Sequence, residues 1–162
     1  MCAIVDVNVS HEVFGSDRPE AGERFFRWLN SGSMRLVVGR RLLEELKNGK
    51  AQEWIRQAIL AGKVRQETTS SVDKGEEKLL QEERCRSNDT HVIALAQISG
   101  ARLLYSNDKD LHIDFKNKRL IDEPRGKIYS TNEDKDFTNS HARLLRDKNL
   151  CRNRCAAGVR SR

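Results

Sequence analysis

The stretch SNDTHVIALAQISGARLLYSNDKDL, Ser87 to Leu111, decides the fold class. It opens on Ser87, Asn88 and Asp89, residue types that cap the free N–H groups of a starting helix. An apolar helical run follows and stops at Gly100, a residue type suited to the backbone of a helix end. ARLLYS comes next, a short apolar run of the kind that forms a strand buried on both faces. Two acids, Asp108 and Asp110, then stand where that strand ends. Asp and Asn are ordinary turn formers, so turn chemistry alone accounts for SNDKDL unless other acids converge on it.

The same alternation runs back to the N-terminus. Ala3 to Val7 reads as a buried strand, and GSDRPEAGERFFRWLN as a helix. In that helix Ser16 or Asp17 would be the cap, Pro19 would sit in the first turn, and Ala21, Phe25, Trp28 and Leu29 would share one face. Arg35 to Gly39 reads as a second buried strand, RRLLEELKN and AQEWIRQAILAG as helices, and KVRQET as an edge strand. VDKGEEKLLQEERC is helical and mostly polar, and RLIDEP and GKIYST are candidate short strands. Strand–helix alternation of this kind predicts an α/β fold with a mostly parallel sheet. The chain divides into a domain over residues 1–128 and a basic C-terminal extension over 129–162, partly helical or disordered.

At 162 residues the chain can bury a proper core. Apolar residues make up 37% and charged residues 33%, and no apolar run approaches the roughly 20 residues of a membrane span. MCAIVDVNV lacks the basic leader of a secretory signal, and Cys2, Cys85, Cys151 and Cys155 show no disulfide framework, so a cytoplasmic, reduced protein is expected. The net charge of +6 belongs to one end. Of 30 Lys/Arg and 24 Asp/Glu, seven bases and one acid fall between His141 and Arg162, leaving 23 of each sign elsewhere. A basic tail suits a polyanion such as nucleic acid, or serves solubility.

In an open parallel sheet, ligands bind beyond the carboxyl ends of the strands. Asp6 lies within AIVDVNV, where burial costs several kcal/mol unless the carboxylate is paired. Asn8 would point the same way if the strand continued. In LLEELK, Leu42, Leu43 and Leu46 make one apolar stripe, with Glu45 roughly 105° and Glu44 roughly 150° from its centre at about 100° per residue. Glu45 therefore flanks the buried face and Glu44 faces water. Asp89 reads first as a cap. Asp6, Glu45, Asp89 and Asp108 nevertheless all stand at element ends that a parallel sheet could bring to one edge. Converging carboxylates need a cation, and oxygen donors of this kind suit Mg²⁺ or Mn²⁺, which activate water and stabilise in-line attack on phosphorus.

The order and context of IVDVNV, LLEEL and NDTHVIALAQISGARLLYSNDKDL resemble the PIN-domain family of ribonucleases, most of all the small prokaryotic single-domain members, many of them toxins of type II toxin–antitoxin pairs. The resemblance covers about residues 1 to 115. It implies a three-layer α/β/α sandwich around a central, mostly parallel sheet of four or five strands, and metal-dependent hydrolytic cleavage of single-stranded RNA, with Asp6, Glu45, Asp89 and Asp108 as the catalytic, metal-holding acids and Asp110 as an auxiliary metal ligand. It implies supporting roles for Asn8 and Ser106. Arg40, Arg41 and Lys109 are candidate contacts to RNA phosphates. An antitoxin protein and a second copy of the chain are the implied partners.

Two other readings compete. A PIN-like module could bind RNA or a partner without cutting. A haloacid-dehalogenase-like phosphatase would also use an Asp on the first strand, but its general acid is a second Asp two residues on, where this chain has Asn8. Cys151 and Cys155 with His141 form a loose zinc pattern, for which unbound thiols are the simpler reading. His91, on an apolar helix, reads as packing or surface.

Overall fold

The computed structural model describes residues 1–32, 34–47 and 51–152. Five short strands form one sheet: β1 (Cys2–Val5), β2 (Arg35–Val38), β3 (Val64–Gln66), β4 (Leu103–Tyr105) and β5 (Lys127–Tyr129). Their spatial order is β3-β2-β1-β4-β5, and every neighbouring pair is parallel. The central strands lack polar alternation because helices flank the sheet. All of β1, Leu36–Val38 of β2 and all of β4 are buried. The fold is thus the expected α/β architecture, with KVRQET at one edge and KIY at the other.

Eight helices lie among the described residues: α1 (Ser10–Phe14), α2 (Glu20–Asn30), α3 (Arg40–Lys47), α4 (Gln52–Leu60), α5 (Thr69–Glu82), α6 (Thr90–Ser99), α7 (Lys109–Lys116) and α8 (Asn139–Arg146). Tyr105 and Tyr129 are register partners and so present their rings on one face of the sheet. There Phe25 of α2 packs on both, with ring centroids 5.0 and 5.1 Å away. α5 and α6 pair closely at Gly75, where an added Cβ would already touch Ala94 and Ile98 at 3.4 Å.

Three local expectations change. β1 ends at Val5, not Val7. The Asp6 side chain accepts from the Asn8 N–H and turns the chain into a single 3₁₀ turn, Val7–Val9, which leaves Asn8 exposed instead of aligned with Asp6. The helix expected from Ser16 or Asp17 begins at Glu20, with Pro19 in its capping position, while α1 forms earlier and ends against Gly15. RLIDEP is a series of turns, with Leu120 and Ile121 buried.

From Tyr129 as far as Arg152, the C-terminal segment packs on the same core. The Tyr129 hydroxyl donates to the Ala21 carbonyl at 2.6 Å, and the Trp28 indole N–H donates to the Leu145 carbonyl at 2.9 Å. The Arg152 N–H reaches the Gly100 carbonyl at 2.7 Å. Gly100 has φ +83°, and a Cβ there would lie 2.2 Å from the Arg152 oxygen, so its glycine answers both the helix end and the docked chain. Leu150 is 2% exposed. Leu150→Ala should therefore cost about 2–5 kcal/mol in urea unfolding; an unchanged midpoint would mean that the segment is not docked in solution.

Candidate functional site

From β1 the chain moves outward through β2 to β3, whereas β4 and β5 lie on the other side of β1. The carboxyl ends of β1 and β4 therefore flank the point where the connections diverge, the crevice in which open parallel sheets bind ligands. Asp6 follows β1 and Ser106 follows β4, and the Asp6 N–H still pairs with the Tyr105 carbonyl at 2.9 Å.

Asp6 is 2% exposed. One carboxylate oxygen accepts from the Ser106 hydroxyl at 2.9 Å, the other from the Asn8 N–H at 3.4 Å. Among the described residues no Lys, Arg or His forms an ion pair with it, so a buried ion pair does not explain this acid. Burial pushes its pKa up, and the charges of Asp89 and Asp108 push it further, against the pull of the Ser106 and Asn8 hydrogen bonds. Asp89 and Asp108 therefore each lie within electrostatic reach of Asp6.

The SNDKDL turn uses Asp108 twice. Asp108 caps α7, with one oxygen accepting from the Asp110 and Leu111 N–H groups at 3.0 and 3.2 Å. Its own N–H donates to the Ser106 hydroxyl oxygen at 3.1 Å. Ser106, fully buried, thus joins Asp6 to Asp108 through one oxygen atom. Asp110 is exposed in the first turn of α7.

Asp89 occupies the capping position of α6, yet its side chain makes no capping hydrogen bond. The capping explanation therefore does not account for its carboxylate. Its loop is held from outside. Asp114 of α7, 1% exposed, accepts from the Arg86 N–H at 2.9 Å and the Ser87 N–H at 2.8 Å, and the Ser87 hydroxyl accepts from the Asp89 N–H at 2.9 Å. Burial together with the Asp114 charge raises the neighbouring Cys85 thiol to about 11, so that thiol stays protonated.

Glu45 stands apart. It is half-buried where Glu44 is exposed, as the helical geometry predicts. Its carboxylate oxygens lie 3.8 Å from Arg41 Nε and 3.9 Å from His91 Nε2. His91 is buried, and neither ring nitrogen has a hydrogen-bond partner. Burial and the nearby Arg41 push its pKa below the ordinary value, keeping the ring neutral, while Glu45, Asp89 and Glu76 pull the other way. Of the candidate RNA contacts, Arg40 pairs with Glu44 at 3.2 Å and Arg41 with Glu76 at 3.3 Å, while Lys109 is exposed and forms no ion pair among the described residues.

Sequence reasoning missed Glu12 and Asp114. Glu12 is 8% exposed and accepts from the Tyr105 hydroxyl at 2.9 Å, from the Thr131 hydroxyl, and from Asn107 Nδ2 at 3.4 Å. Asn107 is further held by Ser130 and Thr131, so this network anchors the turn that carries Asp108. Both acids carried a signal. Glu12 falls at helical spacing beside Val9 and Val13, and Asp114 beside Leu111 and Phe115, where water would be excluded.

Among the described residues, no three His, Cys, Asp or Glu side chains converge closely enough to hold one ion between them. The donor chemistry still fits a hard divalent cation: a buried carboxylate with no counter-charge, crowded by two further acids. Of the zinc pattern, His141 is not free to serve as a ligand. Both His141 ring nitrogens are engaged, with Thr138 and with the Ser130 carbonyl, and Cys155 lies outside the described residues. Cys151 Sγ sits 3.5 Å from Cys2 Sγ. No family model matches the chain, and no curated protein or solved structure matches it either.

The raised pKa of Asp6 has a stability consequence. With its folded value above its unfolded one, stability is present at low pH and is lost as pH rises through the raised value. In EDTA at about pH 7, Asp6→Asn should therefore melt higher than the parent chain, with the gain shrinking as pH falls toward about 4. Equal melting temperatures across that range would show that the carboxylate is not strained.

Proposed function

We propose that the chain is a divalent-cation-dependent endoribonuclease of the PIN-domain kind that hydrolyses single-stranded RNA. The observation that carries the reading is the uncompensated Asp6 carboxylate, buried at the switch point of the sheet and repelled by Asp89 and Asp108. Four acids of the resembled order support it, as does the release of Asp89 from capping. A bound Mg²⁺ or Mn²⁺ would neutralise these charges and supply water activation and phosphate orientation. Within the chain, Asp6, Asp89 and Asp108 would hold one or two ions in pairs, not all three on a single ion, and Ser106 orients Asp6 and Asp108. Asp110 is the auxiliary acid at the opening, and Lys109 is the basic side chain free to meet the RNA backbone. The family reading also extends to a cognate antitoxin and to a homodimer as partners.

Purified protein should cut unstructured RNA with Mg²⁺ or Mn²⁺ and not with EDTA. Asp6→Ala, Asp89→Ala and Asp108→Ala should each lower kcat/KM by about a hundredfold or more, a barrier change of roughly 3 kcal/mol. Undiminished cleavage by Asp6→Ala protein would sink the assignment. RNA binding without cleavage at any metal concentration would favour the non-cutting module.

The two acids of SNDKDL can be ranked separately. Asn caps helices about as well as Asp, so Asp108→Asn should keep α7 and its melting temperature while losing most activity. Asp110→Asn should lose severalfold at most. Equal losses in an RNA cleavage assay would reverse the ranking.

A further inference from the structure

His91 is the one imidazole whose nitrogens the fold leaves wholly unused among its buried histidines: it is 4% exposed and hydrogen-bonds through neither ring atom. His141, the other buried histidine, uses both nitrogens. Buried polar groups are nearly always partnered, and leaving one without a partner carries a desolvation cost. The nearest acid is Glu45, whose Oε2 lies 3.9 Å from His91 Nε2, too far for a hydrogen bond. A second acid, Asp89, starts the same helix two residues earlier and acts electrostatically on His91 as well as on Asp6. An imidazole and a carboxylate take a first-row cation at about 2.0–2.2 Å each, so two donors 3.9 Å apart lie within reach of one ion.

We infer that Glu45 and His91 form a second cation position beside the acids around Asp6, one that takes Mn²⁺ in preference to Mg²⁺ through a nitrogen ligand. The inference rests on the cation-dependent reading above. It gives a role to Glu45, which is not among the acids whose charges act on Asp6. The selectivity follows from ligand chemistry. Imidazole suits transition metals, whereas Mg²⁺ takes oxygen donors in strict octahedral geometry. Arg41, 3.8 Å from Glu45 and 56% exposed, is the side chain that would have to yield.

The test uses full-length protein and Mn²⁺ as the probe, read by electron spin-echo modulation and by calorimetric titration. Mn²⁺ bound to the parent chain should show ¹⁴N coupling. His91→Asn should abolish that coupling, weaken Mn²⁺ binding by about tenfold or more and narrow the preference over Mg²⁺. Glu45→Gln should keep the coupling and weaken binding to a similar degree. Should His91→Asn fail to fold by circular dichroism, Glu45→Gln, on a half-exposed side chain, decides the matter. Bound Mn²⁺ without ¹⁴N coupling, or unchanged Mn²⁺ affinity in the folded variants, overturns this inference and leaves the ribonuclease reading standing. No Mn²⁺ binding at all overturns the inference, while cleavage sustained by Mg²⁺ alone would still uphold the reading on which it rests.

Discussion

The bond between the Ser106 hydroxyl and the Asp6 carboxylate is the constraint around which the crevice is arranged. Asp6 ends β1 and Ser106 ends β4, and the two strands are direct neighbours in the sheet. The same hydroxyl oxygen accepts from the Asp108 N–H, so a single side chain fixes both the first and the last acid of the cluster. A hydroxyl is neutral. It holds the carboxylate in place without cancelling its charge, and repulsion from Asp89 and Asp108 is left standing.

Hydrogen bonding sorts the acids of this region by role. Asp114 and Glu12 are buried and have their oxygens occupied by N–H and O–H donors, which is how buried acids serve a fold. Asp108 is divided, one oxygen capping α7 while the other is left for the crevice. Asp89 gives its backbone to α6 and withholds its carboxylate. Two satisfied acids thus anchor the loops on which the strained acids sit: Asp114 holds the Ser87–Asp89 segment, and Glu12 holds Asn107.

The central strands β1, β2 and β4 were legible because they are short, mostly apolar runs between helices, whereas the edge strands β3 and β5 carry Arg, Gln and Lys and leave a weaker trace. The helix-to-strand passage ending in ARLLYS fixed the parallel arrangement. Element ends were less legible. Asp6 sits in a run whose composition suits a strand, yet the strand stops at Val5, and the Asp6 side chain accepts from the Asn8 N–H as the chain enters the 3₁₀ turn. Asp89 looked like a cap because backbone position and side-chain use are independent, and sequence reports only the first. Glu45 was correctly set apart from Glu44 by helical angle, yet angle on one helix says nothing of distance to Asp6. Its i,i+4 approach to Arg41 lies along that one helix, whereas its approach to His91 of α6 comes from tertiary packing.

The C-terminal segment carries more of the site than its composition suggests. The turn bearing Asp108 is pinned through Asn107, whose side-chain oxygen accepts from the Ser130 hydroxyl and the Thr131 N–H, and whose carbonyl accepts from Asn132. Those residues directly follow β5, and the Ser130 carbonyl is in turn engaged by His141 of α8. The resembled pattern ends near residue 115, but the geometry of its last acid depends on a strand and a helix beyond that point. A basic extension that merely solubilised the chain would have no reason to place Ser130, Thr131 and Asn132 around one asparagine. Holding the Asp108 turn gives it that reason.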